Sequence, residues 1–380
     1  MPFYNDLRPE ADYKDRDFER VFPIMTRAEQ VRCIDGLLRL KAGLAGPGGV
    51  PARRTEQNML LASWNIRNFG TSRQRLPEAY FYIAEILAAF DLVAIQEVKS
   101  NLVELEKIMR LLGPGWKYIV NDVTEGHAGN DERSAYVYNT ARVQFSGLAG
   151  EIALWQALTE DSPVGLQQLS RAPYMTGFIA GWKQFAMVNL HLEPGDTTPA
   201  VGIRSEEVRL LLDALEVKRS GLWSDNLVLL GDMNFYRSKD QDNLRALAAA
   251  GYVECAALLG KPTNVHDNIA PGGTVETYDR MFFRANDYFR FAMAAGGGQS
   301  GDVFDPFAHV YRRDDTATYR EEMLADYGGA KDLTNSPSEL RAYYLDTWRE
   351  NQLSDHYPIW VELVTDNSAE FLAEKRGQLT

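Results

Sequence analysis

Short, continuously apolar runs that alternate with amphipathic stretches constrain the fold of this chain more than any other feature. The runs occupy residues 60–64, 92–95 and 227–230. The first run contains one small polar residue, Ser63, and the other two contain none, which is typical of strands buried on both faces. Helical periodicity occupies residues 78–90, 101–112 and 203–218. Alternating, aromatic-rich stretches follow the hairpin pattern at 116–155 and 173–192, and a last strand is predicted at 358–364. This order predicts a large α/β domain with mixed sheets and outer helices.

The boundaries of that domain follow from changes in composition and hydrophobic patterning along the chain. Residues 1–57 are predicted to form an N-terminal extension with one amphipathic helix, which opens on a capping box at Thr26–Glu29, and a Gly/Pro linker. Residues 58–365 are predicted to form the catalytic domain, and 366–380 a C-terminal tail. A polar, Gly- and Asp-rich insertion with its own helices interrupts the domain at about 296–350. We expect this insertion to pack beside the cleft and to limit substrate access.

Composition excludes several classes of protein. Two cysteines in 380 residues give neither a disulfide framework nor a cysteine-ligated zinc site. No apolar run is long enough for a membrane span, and the charged N-terminus lacks the apolar core of a signal peptide, so a cytoplasmic location is expected. The net charge of −13 argues against strong, sequence-independent binding to nucleic acid. It is compatible with carboxylates that hold a hard divalent cation.

Polar side chains follow the predicted strands at the points where the strands end. They are Asn65, Glu97, His191, Asp232, Asn234, Asp279, Asp355 and His356. Strand ends that present carboxylates, amides and histidines are where an α/β scaffold builds a site. Taken singly, each residue has an ordinary structural role available, such as a turn former or helix cap. It is their joint occurrence, in order, that favours a functional site.

The chemistry of this set is that of a metal-assisted phosphoester hydrolase. A divalent ion, Mg²⁺ or alternatively Mn²⁺, would neutralise the phosphate, and Glu97, Asn65 and Asp355 supply suitable oxygen ligands. His191 and His356 are the candidate acid and base, each of which needs a carboxylate partner. Glu132 and Asp279 can fill that role, while Asp232 and Asn234 can orient water and a phosphate oxygen. His127, His266 and His309 are expected to be structural or surface residues.

Eight short motifs, in order, resemble those of the endonuclease/exonuclease/phosphatase superfamily, and within it the deoxyribonuclease I type. The resemblance covers about residues 58–365 without the insertion. The motifs begin at Asn65, Asp91, Asn130, Ser170, His191, Gly231, Tyr278 and Ser354; they include Gly231-Asp232-Met233-Asn234 and Ser354-Asp355-His356-Tyr357-Pro358. No single motif is decisive, but the order makes chance an unlikely explanation.

This resemblance implies a four-layer sandwich in which two mixed β-sheets pack together with helices on both outer faces. It implies that Glu97, Asn65 and Asp355 hold the metal. It pairs His191 with Glu132 and His356 with Asp279, and it makes Arg171 a phosphate contact. Further basic residues on or beside the motif loops are Arg67, Arg73, Arg75 and Lys99, of which Arg67 and Lys99 are also predicted to bind substrate phosphate.

Two departures bear on the substrate. Lys99 stands where the deoxyribonuclease motif has an arginine that enters the DNA minor groove, and Asn130 stands where it has a tyrosine that stacks on a sugar. Lysine is a point charge without the planar fork of arginine. These departures count against duplex DNA as the substrate, whereas the expected chemistry is unchanged. The predicted function is a deoxyribonuclease I-like, metal-dependent phosphodiesterase with nucleic acid as substrate, and no protein partner can be inferred.

Two alternatives remain open from the sequence. One is a phosphoesterase for a phospholipid head group or a phosphorylated small molecule. The other is a binding module that has kept the fold without catalysis. The inositol-phosphatase type is disfavoured by Glu276-Thr277-Tyr278 before Asp279, and the abasic-site endonuclease type by His191 in place of a tyrosine.

Overall fold

The computed structural model describes residues 2–8, 21–22, 24–53, 57–70, 75–123, 131–218, 224–265, 276–285 and 288–380. Its strands are β1 Asn58–Phe69, β2 Leu92–Lys99, β3 Trp116–Val120, β4 Glu132–Asn139, β5 Gln144–Glu151, β6 Tyr174–Ala180, β7 Lys183–His191, β8 Leu227–Asp232, β9 Val253–Glu254, β10 Asp279–Arg284, β11 Gly301–Val303 and β12 Ile359–Val364. Its α-helices are α1 Arg27–Ala45, α2 Pro77–Ala88, α3 Val103–Leu112, α4 Gln156–Thr159, α5 Thr198–Lys218, α6 Gln241–Ala249, α7 Arg320–Asp326, α8 Pro337–Tyr343, α9 Arg349–Gln352 and α10 Ser368–Leu379. The predicted strands and helices are therefore present, with boundaries that differ by a few residues.

The described strands form two mixed six-stranded sheets. The first has the order β11-β12-β1-β2-β4-β3, and the second has the order β5-β6-β7-β8-β10-β9. Only the β1–β2 and β7–β8 pairs are parallel among the described strand pairs, and each lies at the middle of its sheet. Parallel central strands end at the same sheet edge, so the polar residues that follow them are brought together there.

Alternation along the strands divides the apolar residues into layers. In β1, Met59 and Leu61 face the core between the sheets, while Leu60 and Ala62 face the helices that cover the first sheet. In β8 the same period sends Val228 and Leu230 to the central core, and Leu227 and Leu229 to the helices on the second sheet. Successive side chains of a strand point to opposite faces, which is why runs covered on both sides are apolar throughout. The predicted four-layer sandwich is confirmed.

The N-terminal helix α1 packs into the outer layer of the first sheet. Thr26 accepts a hydrogen bond from the Glu29 amide (3.3 Å), and the Glu29 carboxylate accepts one from the Thr26 amide (2.6 Å). This confirms the predicted capping box, which satisfies two amides that the first turn leaves unpaired. Leu37 and Leu40 of α1 share a core with α2.

Residues 296–350 are more apolar in their packing than their polar composition suggests. They contribute the edge strand β11 and a buried aromatic cluster of Tyr311, Tyr319, Tyr344 and Trp348, which packs in the same core as α1 and α2. His309 stacks on Phe304 with ring centroids 5.6 Å apart. The last helical turn of the segment, in α9, reaches back toward the end of β1.

Candidate active site

The strand register places the predicted site residues at one edge of the sandwich. His191 at the end of β7 and Asp279 at the start of β10 are both paired with Asp232 at the end of β8. In the first sheet, Asn65 of β1 is paired with Gln96 of β2, directly before Glu97. Predicted site residues on five strands, β1 and β2 of the first sheet and β7, β8 and β10 of the second, are therefore brought together near Asp232.

Asp232 lies at the centre of this cluster. Its Oδ2 is 3.6 Å from Nε2 of His191 and 3.7 Å from Nε2 of His356, and it accepts a hydrogen bond from Nδ2 of Asn65 at 3.1 Å. Its Oδ1 accepts a hydrogen bond from the Asn234 amide at 3.0 Å. Burial would raise the pKa of Asp232, but the two imidazoles and the Asn65 amide outweigh it and lower the pKa. Asp232 is thus a buried, charged carboxylate between two histidines.

His356 has a second carboxylate on its other ring nitrogen. Nδ1 of His356 is 2.7 Å from Oδ2 of Asp279, which is fully buried. Burial opposes a charge on the ring, but Asp279 and Asp232 outweigh it and hold the pKa of His356 well above its usual range. The imidazole therefore carries a proton near neutral pH and can donate it.

His191 has a corresponding partner in Glu132, whose Oε2 is 3.0 Å from Nδ1 of the ring. Two cations share this carboxylate: Nε of Arg171 is 2.7 Å from Oε2, and Nζ of Lys99 is 3.0 Å from Oε1. Burial would raise the pKa of Glu132, but His191, Arg171 and Lys99 outweigh it and lower the pKa to about 2. Glu132 is therefore charged near neutral pH and lies beside Nδ1 of His191.

Backbone strain is concentrated around the site. Among the described residues, five non-glycine residues have φ between 48° and 59°, and four of them are Asn68, Glu97, Asp131 and Asn234. Oε2 of Glu97 accepts the Asn68 amide at 2.9 Å, and Oε1 accepts Nδ2 of Asn65 at 3.1 Å. Left-handed backbone at such residues costs free energy and persists where surrounding contacts hold it. The strain thus turns the Glu97 carboxylate toward the end of β1.

Ser354 links the loop that carries Asp355 to β1 at Asn65. The Ser354 hydroxyl donates to the Asn65 carbonyl at 2.6 Å and accepts from the amides of Arg67 and His356 at 3.2 and 3.0 Å. One hydroxyl thereby joins the end of β1 to the loop that carries Asp355 and His356.

The predicted metal ligands fit a hard cation. Oδ1 of Asn65 and Oδ1 of Asp355 are buried, and neither has a hydrogen-bond partner within the described part of the chain. Buried oxygen atoms normally have partners, and these two orphaned oxygens, with the Glu97 carboxylate next to Asn65, suit an ion that takes oxygen ligands. Asp232, Asp279 and His356 also lie within ligand range of one another and form a second group that could hold a cation.

The predicted phosphate contacts Arg171, Asn234 and Arg67 differ in what their nitrogen donors already contact. Nη1 of Arg171 is buried and lacks a hydrogen-bond partner among the described residues, so this donor is open to a phosphate oxygen. Asn234 uses its Nδ2 on the Leu192 carbonyl at 3.0 Å. Arg67 contacts two carboxylates, with Nη1 2.7 Å from Oε2 of Glu350 and 3.4 Å from Oδ2 of Asp355.

Arg75, one of the basic residues beside the motif loops, does not face the site. Its side chain is fully buried and forms an ion pair with Glu104, so it stabilises the loop instead. Arg73, His127, Asn130 and His266 lie outside the described residues.

Two supporting features have no signal in the motifs. The buried carboxylate of Glu207 on α5 accepts the Ser170 and Glu193 amides, both at 2.8 Å, and so ties together the loops that carry Arg171 and His191. Between the sheets, Nε2 of Gln96 donates to Oδ1 of Asn189 at 2.6 Å. Gln96 lies within the motif that begins at Asp91, but the motif does not indicate its contact with Asn189. Glu207 has the sequence context of an ordinary helical residue.

Comparison with known proteins agrees with this geometry. A model of the endonuclease/exonuclease/phosphatase family matches residues 62–356, a range that includes every predicted site residue and ends at His356. This chain belongs to that family. The resemblance inferred from its motifs is thereby confirmed.

Individual relatives are more distant. Deoxyribonuclease-1 of Canis lupus familiaris is 28% identical over 184 residues, covering 46% of this chain and 59% of the relative. Deoxyribonuclease-1 of Homo sapiens is 26% identical over 189 residues, covering 47% of this chain and 61% of the relative. The match therefore spans less than two thirds of the length of these relatives. A solved mannosyl-6-phosphatase from Bacteroides thetaiotaomicron is 21% identical with a TM-score of 0.49, covering 80% of this chain and 99% of that one.

Within the residues that the structure describes, no helix of this chain is both long enough and apolar enough to cross a membrane.

Proposed function

We propose that this family member is a metal-dependent phosphodiesterase of the deoxyribonuclease I type, which hydrolyses phosphodiester bonds of nucleic acid. The observation that carries the proposal is the arrangement around Asp232. Two histidines from different loops point Nε2 at one buried carboxylate, and each has a further carboxylate at Nδ1. Paired, oriented imidazoles are suited to a reaction that needs both a proton donor and a proton acceptor.

Each site residue has a proposed role in the reaction. Protonated His356 is placed to donate its proton to the leaving alkoxide, and Asp279 keeps the ring oriented. His191, oriented by Glu132, and the Asp232 carboxylate are placed to orient the attacking water and accept its proton. Arg171 offers its open Nη1, and Asn234 is predicted to contact a phosphate oxygen. Glu97, Asn65 and Asp355 would hold Mg²⁺ or Mn²⁺, which neutralises phosphate charge and polarises the phosphorus when bound.

Nucleic acid is the favoured substrate class because both curated relatives carry the name Deoxyribonuclease-1. One observation favours the alternative of a smaller phosphorylated molecule or a lipid head group. Lys99, at the position of the groove-reading arginine, contacts Glu132 at 3.0 Å and lies mostly buried, so it is engaged inside the site. A catalytically silent binding module is the third possibility and has no supporting observation in the site.

A cleavage panel tests the proposal. Plasmid, single-stranded DNA and RNA are incubated beside bis(p-nitrophenyl) phosphate and p-nitrophenyl phosphate, with Mg²⁺, Mn²⁺ or EDTA. We expect metal-dependent cleavage of a nucleic acid and of the generic diester. Cleavage of the generic diester alone would favour the small-substrate alternative, and no turnover of any substrate would favour the binding module.

A further inference from the structure

Three cationic side chains in the described part of the active site each contact a carboxylate of the chain itself. Arg171 and Lys99 share Glu132, and Arg67 contacts Glu350 and Asp355. Nη1 of Arg171 remains open to a phosphate oxygen, but these carboxylates compensate much of the positive charge that the three side chains supply beside the predicted metal. A site of this kind tolerates one negative charge on the substrate better than two, since each added charge also meets the surrounding carboxylates.

Glu350 belongs to none of the eight motifs quoted from the sequence and lies at the end of the segment predicted as an insertion, residues 296–350. It lies on α9, and its side chain is 12% exposed. Its Oε2 is 2.7 Å from Nη1 of Arg67, closer than Oδ2 of Asp355 at 3.4 Å from the same nitrogen. The predicted insertion thus places a carboxylate in contact with Arg67, whose guanidinium also contacts the predicted metal ligand Asp355.

The surroundings make this contact a fixed part of the site. The Arg67 amide is bound by the Ser354 hydroxyl, and the Arg67 carbonyl accepts a hydrogen bond from Nη2 of Arg75 at 3.1 Å. The guanidinium therefore extends from an anchored backbone toward α9. Burial and the nearby Asp355 carboxylate raise the pKa of Glu350 to about 7, so the side chain is mostly charged at pH 8. Because Glu350 is mostly buried, water screens this charge poorly, and the charge acts on an anion that approaches Arg67.

We propose that Glu350 is a positioning residue for substrate selection: by engaging Arg67, it makes the site favour monoanionic phosphodiesters over dianionic phosphomonoesters. This inference rests on the proposed phosphodiesterase function and assigns part of its selectivity to the insertion. It also gives the insertion an electrostatic role in addition to the expected limit on substrate access.

The test compares two ligands that differ by one methyl group and one charge. Binding of dimethyl phosphate and of methyl phosphate is measured by calorimetry at pH 8 with Mg²⁺, where methyl phosphate is a dianion. The proteins are the wild type, E350Q, E350D and the control D346N. Asp346 is exposed and lies four residues before Glu350, so D346N removes the same charge away from Arg67.

We expect E350Q to improve the affinity for methyl phosphate relative to dimethyl phosphate by about tenfold, as one removed charge close to the ligand implies. E350D keeps the charge and should keep the wild-type ratio, and D346N should leave the ratio unchanged. An unchanged ratio in E350Q, or the same shift in E350D, would overturn the inference, because packing and not charge would then be responsible. Melting temperatures confirm that each variant is folded.

The same variants are then assayed for hydrolysis of the generic diester and monoester. The ratio of kcat/KM values for diester over monoester should fall by about tenfold in E350Q alone. Absence of turnover in the wild type would contradict the proposed function, while the binding ratios would still decide the role of Glu350. Wild-type preference for methyl phosphate in the binding assay would contradict the inference whether or not the protein hydrolyses diesters.

Discussion

Replacing Glu132 by glutamine should make the stability of the protein less dependent on acid. The folded-state pKa of Glu132 is about 2, against 4.5 for an ordinary glutamate. Because the folded value is the lower one, the charged carboxylate stabilises the fold above pH 4.5, and this contribution is lost as the pH falls toward 2. This lowering of the pKa corresponds to about 3 kcal/mol at neutral pH.

The assay is urea unfolding, followed by circular dichroism, at several pH values between 7 and 3.5. Linkage predicts that the wild type loses about 1 kcal/mol of this contribution by pH 3.5. E132Q lacks the titrating group, so the difference in unfolding free energy between the two proteins should shrink by about that amount. At neutral pH, E132Q also leaves Arg171 and Lys99 without their anion, which adds to its destabilisation.

The matched control is E321Q, since Glu321 on α7 is exposed and its difference from the wild type should stay constant over the same pH range. A constant difference between wild type and E132Q would refute the argument, because it would mean that Glu132 is not held as an anion by its three partners.

Three further predictions concern the metal, the histidines and the strand end. E97Q should lose most diester hydrolysis in Mg²⁺ while its melting temperature stays near that of the wild type; wild-type turnover would remove Glu97 as a ligand. H191A and H356A should each cost roughly 10²–10⁴ in rate, the double variant less than the product of the singles, and H309A little, as measured by steady-state kinetics. G231A should lower the melting temperature strongly, because its Cβ would lie 2.0 Å from the Leu190 carbonyl oxygen at a φ of 131°. A wild-type melting curve for G231A would show that the β7–β8 contact is looser than described.

Much of the sandwich could be predicted because its central strands are covered on both faces. The runs at 92–95 and 227–230 are apolar at every position, and both form strands in the middle of their sheets. The short edge strand β11 could not be predicted, since its three residues carry no periodic pattern and pair with β12 from a distant part of the chain. The buried aromatics of the insertion were missed for a similar reason, because their partners lie in α1 and α2.

The candidate site divides in the same way. Residues at strand ends, such as His191, Asp232 and Asp279, could be placed together because sheet register brings them to one edge. Glu207 and Glu350 lie on helices, where a glutamate is common, and only the packing of those helices shows what they contact. Arg75 illustrates the converse, since proximity to a motif loop did not reveal that Glu104 pairs with it inside the protein.

The central claim is that the Asp232 cluster performs metal-dependent hydrolysis of a phosphodiester. The most direct measurement is the rate of bis(p-nitrophenyl) phosphate hydrolysis against Mg²⁺ concentration for the wild type and D232N, with EDTA as the metal-free reference. The account predicts turnover that rises with Mg²⁺, disappears in EDTA, and falls by at least about 10² in a folded D232N. Turnover that persists in EDTA, or a D232N variant as fast as the wild type, would contradict it.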